Sequence, residues 1–151
     1  MIVGLISDTH GLLRPQVLEA LRGCELILHA GDIGGGAILE QLAAIAPVQA
    51  VRGNNDLEGP EAEQPETRLV ETGGRRLYLI HDLRELRIDP AAERIDAVIS
   101  GHSHRPKIET RQGVLYVNPG SAGPRRFSLP IVLARLRIEG DQMTAEGVTL
   151  L

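Results

Sequence analysis

Short apolar runs that stop abruptly at polar loops recur along this chain. Ile2–Ile6 is continuously apolar and gives way to Ser7-Asp8-Thr9-His10-Gly11, the pattern of a buried strand running into a loop. Residues 15–21 have helical spacing, with Val17, Leu18 and Leu21 on one face and Pro15 suited to a first turn. A second buried strand over 25–29 leaves through Ala30-Gly31-Asp32, and Gly34-Gly35-Gly36 opens a helix over about 37–45. Residues 47–51 predict a third strand, which exits into Gly53-Asn54-Asn55-Asp56. Strand, helix, strand, helix, strand at this spacing implies right-handed crossovers and a parallel sheet.

The second half reads differently. Residues 57–66 are polar and acidic, a loop or lid. Runs over 67–70 and 75–80 flank Gly73-Gly74 and predict a hairpin. Residues 97–100 form another buried strand, ending in Gly101-His102-Ser103-His104. Runs over 107–110, 114–117, 131–138 and 143–149 are separated by Gly or Pro turns. The expected architecture is a single α/β domain over 1–151, with two facing β-sheets and helices on the outside.

Composition narrows the function. The chain has 151 residues, 42% hydrophobic and 24% charged, enough for a real core. With only Tyr78, Tyr116 and Phe127 as aromatics, that core must be aliphatic. A net charge of -4 supplies no bulk basic surface for nucleic acid. Cys24 is the single cysteine, so no intramolecular disulfide forms, which fits a reducing compartment. No basic leader precedes the first strand, and no apolar run approaches the roughly 18–20 residues that span a bilayer. A soluble, cytoplasmic protein is expected.

Chemistry enters through the positions of the polar residues. Asp8 and His10 follow the first strand, Asp32 the second and Asn54 the third. His81 ends the hairpin, and His102 and His104 follow a later strand. Ligands of α/β sheets collect at the carboxyl ends of strands, so five strand ends would deliver seven metal-competent side chains to one edge. Carboxylates supply hard anionic oxygen, imidazoles suit first-row divalent ions, and an Asn carbonyl adds neutral oxygen. Asp32 is the candidate bridge, since one carboxylate can hold two metals roughly 3.5–4 Å apart. Gly31, Gly53 and Gly101 each precede a candidate ligand and allow close backbone approach.

These segments resemble the calcineurin-like metallophosphoesterases: Asp8-Thr9-His10, Gly31-Asp32, Gly53-Asn54-Asn55-Asp56, His81 and Gly101-His102-Ser103-His104. The short length, His29-Ala30-Gly31-Asp32 and Asn118-Pro119-Gly120-Ser121 are similar to the small prokaryotic phosphodiesterases of the YfcE type. The resemblance covers essentially the whole chain and implies a four-layer α/β/β/α sandwich. It also implies a ligand set. Asp8, His10 and His104 would hold one divalent metal, Asn54, His81 and His102 the other, and Asp32 both. A hydroxide between the metals would attack phosphorus in line. Mn²⁺ is the metal the resemblance favours, with Ni²⁺, Fe²⁺ and Zn²⁺ close behind. A small phosphate ester is the expected partner, and small members of the family often form homo-oligomers. One eukaryotic relative with this fold is instead an interaction scaffold with a degraded metal site, an alternative that seven intact ligand positions argue against.

Two positions depart from the family pattern. Asn55 stands where many members have His. As a candidate catalytic and phosphate-binding residue it can donate a hydrogen bond, but it cannot give up a proton near neutral pH. Esters with acidic leaving groups should therefore turn over best. Asp82 replaces the usual Gly after the His ligand, and can accept a ring N–H from a histidine ligand. Elsewhere, His29 reads as a buried histidine and Cys24 as an inert thiol. Gly34-Gly35-Gly36 lacks the Lys-Ser/Thr ending of a P-loop. Arg125 and Arg126 divide evenly between phosphate binding and a solvated loop.

Overall fold

A computed structural model describes residues 1–151, with Gly36 described by its backbone alone. The elements in chain order are β1 Ile2–Ile6, α1 Pro15–Ala20, β2 Leu26–His29, α2 Gly36–Ala43, β3 Val48–Ala50 and α3 Gly59–Ala62. They continue with β4 Thr67–Thr72, β5 Arg75–Ile80, a 3-10 turn Leu83–Glu85, β6 Ala97–Ile99, β7 Lys107–Arg111, β8 Val114–Asn118, β9 Val132–Glu139 and β10 Gln142–Thr149.

Two five-stranded mixed sheets result, ordered β10-β9-β1-β2-β3 and β4-β5-β6-β8-β7. β1, β2 and β3 are parallel, as the repeated strand–helix pattern requires, and β9 closes antiparallel on β1. In the second sheet β5, β6 and β8 are parallel, flanked by the β4–β5 and β7–β8 hairpins. Thr72 pairs with Arg75 across Gly73-Gly74, both at positive φ, which is a two-residue hairpin turn of the primed kind.

The alternation of side chains across each strand explains the layering. Val3, Leu5, Leu26 and Leu28 of the first sheet meet Leu77, Leu79, Ala97, Ile99 and Val117 of the second in one aliphatic core. The opposite face of the first sheet presents Ile6, Ile27 and Leu133 to Val17 of α1, Leu21 just beyond it, and Ile38 and Leu42 of α2. Gly4 lies under α1, where an added Cβ would stand 2.5 Å from the Leu21 side chain. Cys24 is buried in this layer. Burial pushes its thiol pKa up against the pull of the Arg135 charge.

The outer layers are unequal. Ile80, Val98 and Val114 on the outer face of the second sheet are covered by Leu83, Leu86, Ile88 and Ile95 from the 3-10 turn and the chain following it. Among the described residues no α-helix supplies this fourth layer. The acidic segment 57–66 also differs from the expected loop, because Gly59–Ala62 is helical. Arg52 secures its end, donating from Nη1 to the Ala62 carbonyl at 3.2 Å and from Nη2 to Glu66 at 2.8 Å. Among the described residues no helix is long and apolar enough to cross a membrane.

Candidate metal centre

The parallel strands of both sheets end at one edge, and short backbone ladders carry their order into the loops beyond. Asp8 and His10 donate N–H bonds to the Gly31 and Asp32 carbonyls, at 3.0 and 2.9 Å. Gly101 donates to the His81 carbonyl at 2.9 Å. Two bonds join the sheets here: His81 Nδ1–H to the Ala30 carbonyl at 2.7 Å, and the His102 N–H to Asp8 Oδ2 at 3.0 Å.

These loops gather all seven predicted ligands. Around Asp8 Oδ1, His104 Nε2 lies at 3.3 Å and His10 Nε2 at 3.6 Å, and the two ring nitrogens are 3.3 Å apart. These edges match the ~3.4 Å expected between donors placed tetrahedrally about 2.1 Å from one ion. Asp32, His81 and His102 form a second group of mutually close donor atoms. Asn54 Oδ1 joins it, 3.2 Å from His102 Nδ1. Asp32 Oδ2 touches both groups, 3.7 Å from His10 Nε2 and 3.3 Å from His81 Nε2. It therefore stands where a bridge would.

The residues present fit cations. Asp8 Oδ1 and His81 Nε2 are buried without a hydrogen-bond partner, although buried polar atoms are normally paired. The Ala30 carbonyl can only accept, so His81 carries its proton on Nδ1 and turns the Nε2 lone pair inward. Burial pushes the Asp8 carboxyl pKa up, but hydrogen bonds with His10, His104 and Ser7, and the His81 charge, hold it well below the usual range. Burial pushes Asp32 up as well, and His81 and the Asn55 backbone and side chain bring it below normal. His81 is pushed down by burial and carried above its usual value by Asp32, Asp8 and the Ala30 carbonyl. A proton thus competes for the place a cation would take.

Strain concentrates at the same residues. Asp8, His10, Asp32, His102 and His104 all have positive φ, between 44° and 71°. Such a conformation costs a non-glycine residue about 1–2 kcal/mol, and surrounding contacts must hold it. Glycine makes room for those contacts. A Cβ on Gly53 would collide with the Asp32 carboxylate, and one on Gly101 would stand 2.6 Å from Asp8 Oδ2.

Several bracing residues were not assigned a role from sequence. Asp56, buried, accepts from Ile33 N at 2.9 Å, Gly34 N at 3.3 Å and Gly53 N at 2.8 Å, tying the Asp32 and Asn54 loops together. The Ser7 hydroxyl donates to Asp8 Oδ2 at 2.6 Å. Asn118 donates to the Gly101 carbonyl and Ser103 Oγ, and accepts from Gly120 N, so one side chain organises both the His102–His104 loop and its own turn. Ser121 Oγ donates to the Asp8 carbonyl at 3.0 Å.

The remaining candidates fall into place as follows. His29 is fully buried in a single-direction chain: Gly31 N–H to its Nδ1, its Nε2–H to Thr9 Oγ1, and the Thr9 hydroxyl to the Ile33 carbonyl. Burial holds its pKa at about 4. Asn55 does not stand free. Its backbone N–H and its amide donate to the two Asp32 oxygens at 2.9 and 3.0 Å. Asp82 is held mainly by Arg84, with His102 Nε2 3.7 Å from its Oδ2 and 3.2 Å from Arg84 Nη2. Arg125 and Arg126 are exposed, and Arg125 donates to the Leu129 carbonyl of its own loop. Among the described residues neither hydrogen-bonds nor ion-pairs with a candidate ligand.

The fold and this edge define a two-sheet sandwich whose parallel strands converge on paired carboxylate–imidazole clusters. The chain belongs to the calcineurin-like phosphoesterase superfamily, whose domain matches residues 1–141. It is 39% identical to a probable metallophosphoesterase of Methanothermobacter thermautotrophicus, covering 97% of this chain and 91% of that protein. It is 26% identical to a phosphodiesterase of Methanocaldococcus jannaschii, covering 87% and 90%. Among solved structures, a Vps29 variant from Entamoeba histolytica superposes with a TM-score of 0.81 at 26% identity, over 100% of this chain and 93% of that one.

Proposed function

We propose that this protein hydrolyses phosphodiesters with the help of two divalent cations. Asp8, His10 and His104 hold one, Asn54, His81 and His102 the other, and Asp32 both. The observation that carries this reading is Asp32 Oδ2, within 3.7 Å of a ring nitrogen from each group. Bound there, the cations activate water for in-line displacement and neutralise charge on the phosphoryl oxygens.

The protein's own groups prepare that place. Ser7 and the His102 backbone fix one Asp8 oxygen and present the other inward. The Ala30 carbonyl selects the His81 tautomer. Asn55 orients Asp32 and keeps one amide hydrogen for a phosphoryl oxygen. It supplies no proton to a departing alcohol, so diesters with acidic leaving groups are the best substrates. The mixed nitrogen and oxygen donor set suits Mn²⁺, Ni²⁺, Fe²⁺ or Zn²⁺, and we favour Mn²⁺.

The test is turnover of bis(4-nitrophenyl) phosphate and 4-nitrophenyl phosphate by chelator-stripped protein reloaded with each metal. The diester should react faster, and Mn²⁺ should restore activity. No turnover with any metal would overturn the reading and favour an interaction scaffold, the alternative to which the likeness to Vps29 lends support.

A further inference from the structure

A second cavity adjoins this centre. It holds about 470 Å³ on the outer face of the second sheet, between the 3-10 turn Leu83–Glu85 and the β7–β8 hairpin. It meets a smaller cleft of about 240 Å³ over Asn54, His81 and His102, and the two share Asp82 and His102. A phosphate held at the centre would therefore have one ester arm pointing past His102 into a preformed cavity. Its size falls within the ~300–1,000 Å³ of small-molecule sites.

Its lining says what that arm should be. Arg84, Arg105, Lys107 and Arg111 face two carboxylates, an excess of positive charge in a chain of net charge -4. Asp82 is taken up by Arg84 at 2.8 Å, and Glu109 by Arg111 and by Lys107 at 3.4 Å. Among the described residues the Arg105 guanidinium has no hydrogen-bond or ion-pair partner. Arg111 lies over the Tyr116 ring, 4.9 Å from its centroid, and this stacked pair and Leu83 both line the cavity. Unspent positive charge beside a flat, partly apolar wall suits a planar ring that carries an anion.

We propose that this cavity seats one ester arm of the diester, and that this arm bears a flat ring and a second negative charge, the composition of a nucleotide. The proposal rests on the phosphodiesterase reading and names the substrate class within it. Adenosine 5′-monophosphate, standing for that arm, should inhibit bis(4-nitrophenyl) phosphate hydrolysis competitively. It should do so at least tenfold more tightly than adenosine or inorganic phosphate. Arg105 and Lys107 are exposed, so the double variant Arg105→Glu/Lys107→Glu should fold. It should weaken the nucleotide at least tenfold and inorganic phosphate less than threefold. Calorimetric titration of the nucleotide into metal-free protein should show the same charge dependence. Active protein whose nucleotide affinity ignores the charge reversal overturns the cavity assignment alone. Charge-sensitive nucleotide binding without hydrolysis by any metal-loaded form overturns the ester-arm role together with the functional reading.

Discussion

Replacing Asp8 by Asn separates metal binding from folding. The Asp8 side chain is fully buried. Its Oδ2 accepts from the Ser7 hydroxyl and the His102 N–H, whereas Oδ1 has no partner and faces His104 Nε2 at 3.3 Å. Asparagine can keep its oxygen toward the two donors and turn its amide toward the imidazole lone pairs. Without metal, the substitution leaves no new orphan but removes a carboxylate charge that the fold holds ionised, against burial, through His10, His104, Ser7 and His81, so the midpoint of unfolding should fall. Metal should set the two proteins further apart. At a concentration 100 times Kd, binding stabilises the unchanged protein by about 2.7 kcal/mol. At roughly 2–4 °C per kcal/mol for a chain of this size, Tm should rise by about 5–11 °C. Loss of even an outer partner of a ligand weakens metal sites about 10–100-fold. A 100-fold loss at the same metal concentration leaves about 0.4 kcal/mol, or about 1–2 °C. Thermal unfolding followed by circular dichroism, with and without Mn²⁺, measures both effects. An equal metal-induced shift in the Asp8→Asn protein would refute the role given to Oδ1.

Three further outcomes follow from the same geometry. Asp32→Ala should abolish diester turnover in a folded protein, because both donor groups lose a shared anion, and residual activity in a variant with native circular dichroism would contradict the bridge. Asp56→Ala should cost about 3 kcal/mol in urea unfolding by stranding three backbone N–H groups, and a loss under 1 kcal/mol would mean that the loops hold without it. His29 titrates at about 4 in the fold and near 6.5 when unfolded, so the unfolded chain binds the extra proton. The contribution is fully present above pH 6.5 and falls away toward pH 4, by about 3 kcal/mol. A His29→Gln protein should lose less stability than its parent across that window, and equal slopes in urea titrations would contradict the assignment.

The convergence of the candidate residues was legible because each sits where an apolar run breaks into a polar loop, and parallel strands send such breaks to one edge. Asp8, Asp32, Asn54, His81 and His102 all follow that rule. The braces were not legible. Asp56 and Asn118 look like ordinary turn residues, and their partners lie across the chain, from Asp56 to Ile33 and from Asn118 to Gly101. A carboxylate three residues after a glycine, positioned to take that glycine's N–H, is the one local hint at Asp56. The helix at Gly59–Ala62 escaped because four residues carry no periodicity. The fourth layer was expected to be helical from the resemblance, whereas Leu83, Leu86, Ile88 and Ile95 cover the second sheet from irregular chain. The cavity beside His102 is assembled from separate strands and a turn, and no single segment announces it.

The count of cations bound by the folded chain tests the central claim most directly. Calorimetric titration of Mn²⁺ into chelator-stripped protein should show two equivalents per chain, falling to one or none in Asp32→Ala. Uptake of no metal, or the same uptake in both proteins, would contradict the account.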